Sequence, residues 1–173
     1  AVLSVVVVLT LNPAELLRQA RDSTRISDMS SLNSALSLLL ADGGVFAMGP
    51  GCFAATSTPS ASCGSIGFQS LTPAISSTLI IVTSARGTTG DNGWMQGVNF
   101  GAISSGAPFG ILPVDPTNNT SYFYGFAVGS SSTYKLNSRM ESTKYSGSGS
   151  SAVGVNDGGT STSTYEVGNT LSL

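Results

Sequence analysis

The pattern of apolar and polar positions changes at residue 12. Ahead of it, Ala1 to Leu11 carries no charge, and Val2, Leu3, Val5, Val6, Val7, Val8, Leu9 and Leu11 are apolar. After it, Leu16, Leu17, Ala20, Met29, Leu32, Leu36 and Leu39 recur at helical spacing. Asn12 suits an N-cap, Pro13 the first helical position, and Glu15 the third, near the positive end of the helix dipole. Gly43-Gly44 supplies a left-handed stop after Asp42. A helix of nearly thirty residues, roughly 43 Å long, is therefore predicted. Beyond Ser31 it is apolar on more than one face, with Leu36, Leu38, Leu39 and Leu40, so its second half is expected to pack on a sheet.

The remaining chain reads as strands and turns. Gly43 to Thr78 has no clear periodicity and reads as an irregular connection. Leu79-Ile-Ile-Val-Thr83 is a candidate buried strand, Arg86 to Gly93 is turn chemistry, and Trp94 to Phe100 is a second strand-like piece. Three prolines exclude Ala107 to Pro116 from a central strand. The strongest signal is a hairpin in which Ser121 to Val128 and Thr133 to Glu141 flank Gly129-Ser-Ser-Ser132. Tyr122, Phe123, Tyr124 and Phe126 supply its aromatic character. Tyr134, Leu136 and Met140 face one way in the second strand, and Lys135, Asn137, Arg139 and Glu141 the other, so one face is expected to be buried, most simply against the helix, and the polar one to face outward. Ser142 to Thr164 reads as a surface loop around Asn156-Asp157-Gly158-Gly159, and Tyr165-Glu-Val167 as a last strand. The fold class expected is α+β, a long N-terminal α-helix packed on a small antiparallel β-sheet. Residues 1–42 form the helical part, with a break at 12–13, and residues 43–173 a β-rich head.

The opening run admits three readings: a buried strand, a residual signal-peptide core without an A-x-A site, or the distal half of a membrane-inserting helix. Eleven apolar residues fall short of the ~20 needed to cross a bilayer. The third reading is preferred because the run leads directly into the long helix. Within that helix Glu15, Arg18, Arg21, Asp22, Arg25 and Asp28 are six of the chain's sixteen charges. Arg18 and Asp22 sit at i, i+4, while Glu15 with Arg18, Asp22 with Arg25 and Arg25 with Asp28 sit at i, i+3. They form either a solvated, pair-laced face or a set of contacts to neighbouring copies of the chain. Exposed pairs contribute little singly, so such concentration suits a packed bundle.

Composition narrows the classes. Charged residues are 9% of the 173-residue chain, against about 25% in a typical domain. With a net charge of −2, no basic surface recruits nucleic acid. Low charge with abundant Ser, Thr, Gly and Asn points outside the cell. There Cys52 and Cys63 are expected to form one disulfide closing a short loop, two buried thiols being the plainer reading. Zinc is disfavoured with two thiols and no histidine. The absence of histidine also excludes Ser-His-Asp and Cys-His nucleophile sets. A Ser-Lys dyad or carboxylate pair stays formally open, with Lys135, Arg139 and Lys144 as the basic candidates, but nothing argues for an enzyme or a cofactor.

Asn12-Pro-Ala-Glu-Leu-Leu-Arg-Gln-Ala-Arg-Asp22, Arg25-Ile-Ser-Asp28 and Leu32 to Gly43 together resemble the N-terminal helix of type IV pilins and type II secretion major pseudopilins. Leu112 to Tyr124 looks like the segment entering the pilin sheet. Tyr134 to Ser142, Asn156 to Gly159 and Tyr165 to Asn169 are similar to the ends of pilin-like proteins from small-genome bacterial lineages. The aromatic residue and glutamate of the family's mature N-terminus are not in the sequence, so their role is assigned to no residue here.

The resemblance implies a pilin fold and a structural subunit of an extracellular, cell-surface type IV pilus-like filament serving adhesion, motility or DNA uptake. The partners it implies are identical subunits in a helical filament and the inner-membrane assembly machinery, after insertion in the cytoplasmic membrane. Val2, Leu3, Val5 to Leu9, Leu11, Pro13, Leu16 and Leu17 would form the assembly helix. The alternatives are a major pseudopilin, in which Asp115, Asp157 and neighbouring carbonyls could give calcium oxygen ligands although Asp157-Gly158-Gly159 reads first as a plain turn, and a membrane-anchored binding module presenting the aromatic hairpin. Asn118-Asn119-Thr120-Ser121 carries two overlapping N-x-S/T patterns that its turn chemistry also explains.

Overall fold

Asn12 starts the longest element by adopting a left-handed conformation (φ 38°, ψ 76°) that asparagine tolerates better than most residues. In a computed structural model the described residues are 12–47, 51–56, 63, 68, 79–81 and 86–173. Helix α1 spans Pro13–Ala41, with Pro13 in its first turn and the Glu15 amide donating to the Asn12 side chain. It stops as its sequence requires. Gly43 takes φ 82°, its N–H donates to Leu40 and the Gly44 N–H to Leu39, the two bonds of a Schellman motif.

The sheet has five strands: β1 (Gly51–Ala54), β2 (Leu79–Ile81), β3 (Tyr124–Val128), β4 (Tyr134–Ser138) and β5 (Tyr165–Gly168). Their order is β2-β1-β3-β4-β5; β1 and β2 run parallel, and the other three pairings are antiparallel. The β3–β4 hairpin pairs Phe126 with Leu136 and Val128 with Tyr134 across the turn at Ser130–Ser132. Strand β5 then pairs Val167 with Leu136. The fold is α+β, with a long helix lying on a small, mainly antiparallel sheet.

One face of the sheet meets the helix. Phe53, Tyr124, Phe126, Val128, Tyr134 and Leu136 form one core with Met29, Leu32, Leu36 and Leu39 of α1 and with Phe46, Trp94 and Phe100 from the connections. Phe46 stands edge-on to both Phe126 and Tyr134, at 5.9 Å between ring centroids in each case. The opposite face is buried as well. Cys52, Ala54 and Ala127 pack with Cys63 and Phe68, and Cys52 is disulfide-bonded to Cys63.

Four expectations are corrected. The stretch from Gly43 to Thr78 holds strand β1, in an interior position of the sheet. Trp94 to Phe100 is not a strand but turns and the start of a 3-10 segment at Phe100–Ala102, with Gly97 at φ 74°. Trp94 is nevertheless buried, and its indole N–H donates to the Pro113 carbonyl at 2.9 Å. Lys135 and Asn137 do face away from Tyr134 and Leu136, but into a second buried layer instead of water. The loop from Ser142 also contains a short helix, α2 (Val153–Asn156).

Candidate functional site

The charged residues of α1 converge on two segments of the head. Asp22 and Arg25 occupy successive turns of one helix face and are both 0% exposed. Below them lie Asp115, at the end of the proline-rich segment, and Glu141, just past β4. Proline at 113 and 116 keeps that segment extended, so Asp115 is presented from a stiff backbone.

Arg25 uses every edge of its guanidinium. Nε and Nη2 donate to the two oxygens of Asp115 at 2.6 and 2.8 Å. Nη1 donates to Asp22 at 2.7 Å, and Nη2 also reaches Glu141 at 2.5 Å and the Thr117 hydroxyl at 3.1 Å. Its carbon lies 5.1 Å from the centre of the Tyr122 ring. The acids are held from their other sides. Asp22 accepts from the Glu141 and Ser142 amides at 2.9 and 2.8 Å, Asp115 from the Thr117 amide at 2.8 Å. Glu141 also receives Arg21 through Nε and Nη2.

Two flanking contacts extend the line. Glu15 accepts from the amide and hydroxyl of Thr143 at 2.7 and 2.8 Å, and Asp28 accepts from the Tyr124 hydroxyl at 2.6 Å. Hydrogen bonds from Arg21 lead in holding the Glu141 carboxyl down to about 2, against its burial, with Arg25 and Thr117 adding to them. Burial pushes the Asp28 carboxyl above its usual range. Tyr124 is also pushed up, by burial first and then by its bond to Asp28.

Two arginines among three carboxylates, each oxygen met by a donor, lock the helix to the head. Both oxygens of Asp115 are turned to Arg25, and those of Asp157 to the Gly159 and Glu166 amides. Among the described residues no group of three or more His, Cys, Asp or Glu side chains could hold a metal ion. An open depression of about 430 Å³ runs beside α2 and β5, lined in part by Val153, Asn156, Asp157 and Tyr165. Asn119 accepts from the Ser121 and Tyr122 amides, as its turn chemistry predicts.

The predicted helix pairs divide. Glu15 and Arg18 meet at 3.8 Å on the surface, Asp22 and Arg25 are joined in the interior, and Asp28 turns to Tyr124. Among the basic candidates, Lys135 is buried against Glu166, Arg139 is exposed, and Lys144 lies over the Tyr145 ring. Pro13 starts α1, while Leu16 and Leu17 are 50% and 62% exposed. Val2, Leu3, Val5, Val6, Val7, Val8, Leu9 and Leu11 lie outside the described residues.

Sequence reasoning missed Asp115, Thr117 and Glu141 as partners of the helix. One signal was available. In a chain with nine acids, Asp115 stands inside an otherwise uncharged run, Ala107 to Pro116, where a carboxylate needs a cation.

Comparison of the chain with protein-family models, curated proteins and solved structures finds no match. The expected filament subunit, inserted in a membrane and then assembled with identical copies, is corrected by the structure. No helix among the described residues is long and apolar enough to cross a membrane. The helix charges assigned to neighbouring copies are satisfied within the chain, by Asp115, Glu141, Thr143 and Tyr124. With that correction go the pilus and pseudopilus roles, the assembly machinery, the membrane-anchored module and the cell-surface filament location.

Proposed function

We propose that this chain is a non-catalytic attachment domain, a rigid head that docks on another protein through the exposed start of α1. The observation that carries this reading is the inverted polarity of that helix. Over its first turns the charged groups Glu15, Arg21, Asp22 and Arg25 point into the protein's own head. Leu16 and Leu17 point to solvent at 50% and 62% exposure, beside exposed Pro13, Ala14 and Ala20. A helix serving only its own core would do the reverse. Adjacent large apolar side chains left in water, with nothing gained inside, mark a surface meant to be covered. The partner is a protein with an apolar groove able to take one helix face. The disulfide further suits a compartment that keeps thiols oxidised.

The test places a photoactivatable benzoylphenylalanine at position 17, or at exposed position 23 as control, in full-length protein made in its own cells. A discrete protein adduct at 17 and none at 23 is expected. The double variant Leu16→Ser, Leu17→Ser should lose that partner from co-purification while its Tm stays unchanged. Adducts with lipid alone, no adduct at 17, or equal adducts at both positions would overturn the reading, as would a variant that melts early.

A further inference from the structure

A carboxylate without a cation stands at the depression beside α2 and β5. The buried acids Asp22, Asp115 and Glu166 each hold a cation of the chain, Arg25 for the first two and Lys135 for the third. Asp157 is partly buried too, yet it forms no ion pair among the described residues. Burial pushes its carboxyl above the usual range, and the Glu166 charge adds to the effect. A negative charge kept partly out of water and unmatched within the chain favours a positive one from outside. We propose that the depression is a binding site for a primary alkylammonium group, as carried by a lysine side chain or a free diamine.

The walls suit such a group. Gly154 lets α2 lie against the residue that precedes β5, since a Cβ there would fall 2.5 Å from the Thr164 carbonyl. The depression measures about 430 Å³, within the range of small-molecule sites, about 300–1,000 Å³. Val153, Tyr165 and Val167 give it an apolar and aromatic lining, while Asn156 and Asp157 give it polar groups.

The acceptors are set in advance. Asp157 Oδ1 accepts from the Gly159 amide at 2.8 Å and Oδ2 from the Glu166 amide at 2.7 Å, which ties the carboxylate to its own loop and to β5. One donor on each oxygen leaves further lone pairs open. The Asn156 side-chain nitrogen donates to the Ala152 carbonyl at 2.8 Å, which leaves its oxygen as an acceptor. A primary ammonium brings three N–H donors to these oxygens; a quaternary ammonium brings none. Its alkyl stem suits the valines, and its charge suits the Tyr165 ring. The site shares no residue with the exposed start of α1, so it stands apart from the docking reading.

Amide NMR spectra of the full isotope-labelled chain at neutral pH test this, with n-butylammonium chloride as the first probe. Saturable shifts are expected at Asp157, Gly159, Tyr165 and Glu166. Asp157→Asn should weaken binding about tenfold or more at unchanged Tm. Val153→Phe, which fills the depression and keeps the carboxylate, should abolish the shifts, and it carries the test if Asp157→Asn unfolds. Nα-acetyl-lysine methylamide and 1,5-diaminopentane separate the two sources, the tighter binder marking a peptide lysine or a free diamine. No shift with any of the three amines would overturn the proposal. So would equal shifts from n-butanol, methyl glucoside or tetramethylammonium, a response to calcium chloride at the same residues, or binding undiminished in Asp157→Asn.

Discussion

Arg25 and Asp115, ninety positions apart, meet in a two-pronged ion pair with both side chains at 0% exposure. Such a pair does more for arrangement than for net stability, since removing two charges from water offsets most of their attraction. Its geometry fixes which turn of α1 lies over the segment ending at Pro116. The apolar contacts of Leu32, Leu36 and Leu39 could tolerate a helix slid by one turn; the fork of Arg25 could not.

Removing the cation should be far worse than never having had it. Arg25→Met would leave Asp22, Asp115 and Glu141 facing one another with no partner at the centre. A loss of about 3–5 kcal/mol is expected, read as a lower urea midpoint with unchanged slope. Arg25→Lys should fall between the two, because a single ammonium cannot serve both oxygens of Asp115 while reaching Asp22.

Acid should loosen the helix from the head. Glu141 in the folded chain is held down to about 2, from an ordinary value of 4.5. A carboxyl depressed on folding contributes stability that is complete above its unfolded value and drains away as pH falls through the interval toward 2. Asp28 and Asp157 work in the opposite sense. Burial raises both, so they take up protons sooner in the folded chain and blunt the early part of the decline. Thermal melts across this range should show Tm falling with acid in the wild-type chain. In Glu141→Gln, Tm should start lower at neutral pH and fall less.

The Cys52–Cys63 bond closes a loop with a sequence separation of 11 and ties it to an interior strand. Replacing both cysteines by alanine should lower stability by about 3 kcal/mol on the chain-entropy account. For a chain of this size that is a fall of roughly 6–12 °C in Tm. Reductant should reproduce the loss in the wild-type chain and leave the double variant unmoved.

Elements whose cause is local were readable in advance. Asn12, Pro13 and Gly43 bracket α1 because caps act on their own turn, and the hairpin declares itself because β3 and β4 are joined by a short turn. Strand β1 was not readable. Its four residues, Gly51–Ala54, are buried on both faces, so no alternation exists to see, and its parallel partner β2 lies across a long connection. The lock on Arg25 was half readable. Asp22 announces itself at i, i+3, but Asp115 and Glu141 are brought in by the chain's tertiary path, which the spacing of helix residues does not encode. Lys135 and Asn137 looked like an outward face because polarity alternates in β4; the second layer that covers them comes from a segment without periodicity.

The line of polar bonds from Glu15 to Asp28 also has a mechanical meaning. A pull on the front of α1, along its axis, would load the contacts to Thr143, Glu141, Asp115 and Tyr124 side by side. Tension would be shared as shear before it reached the aromatic interior, the loading direction in which such an arrangement resists longest.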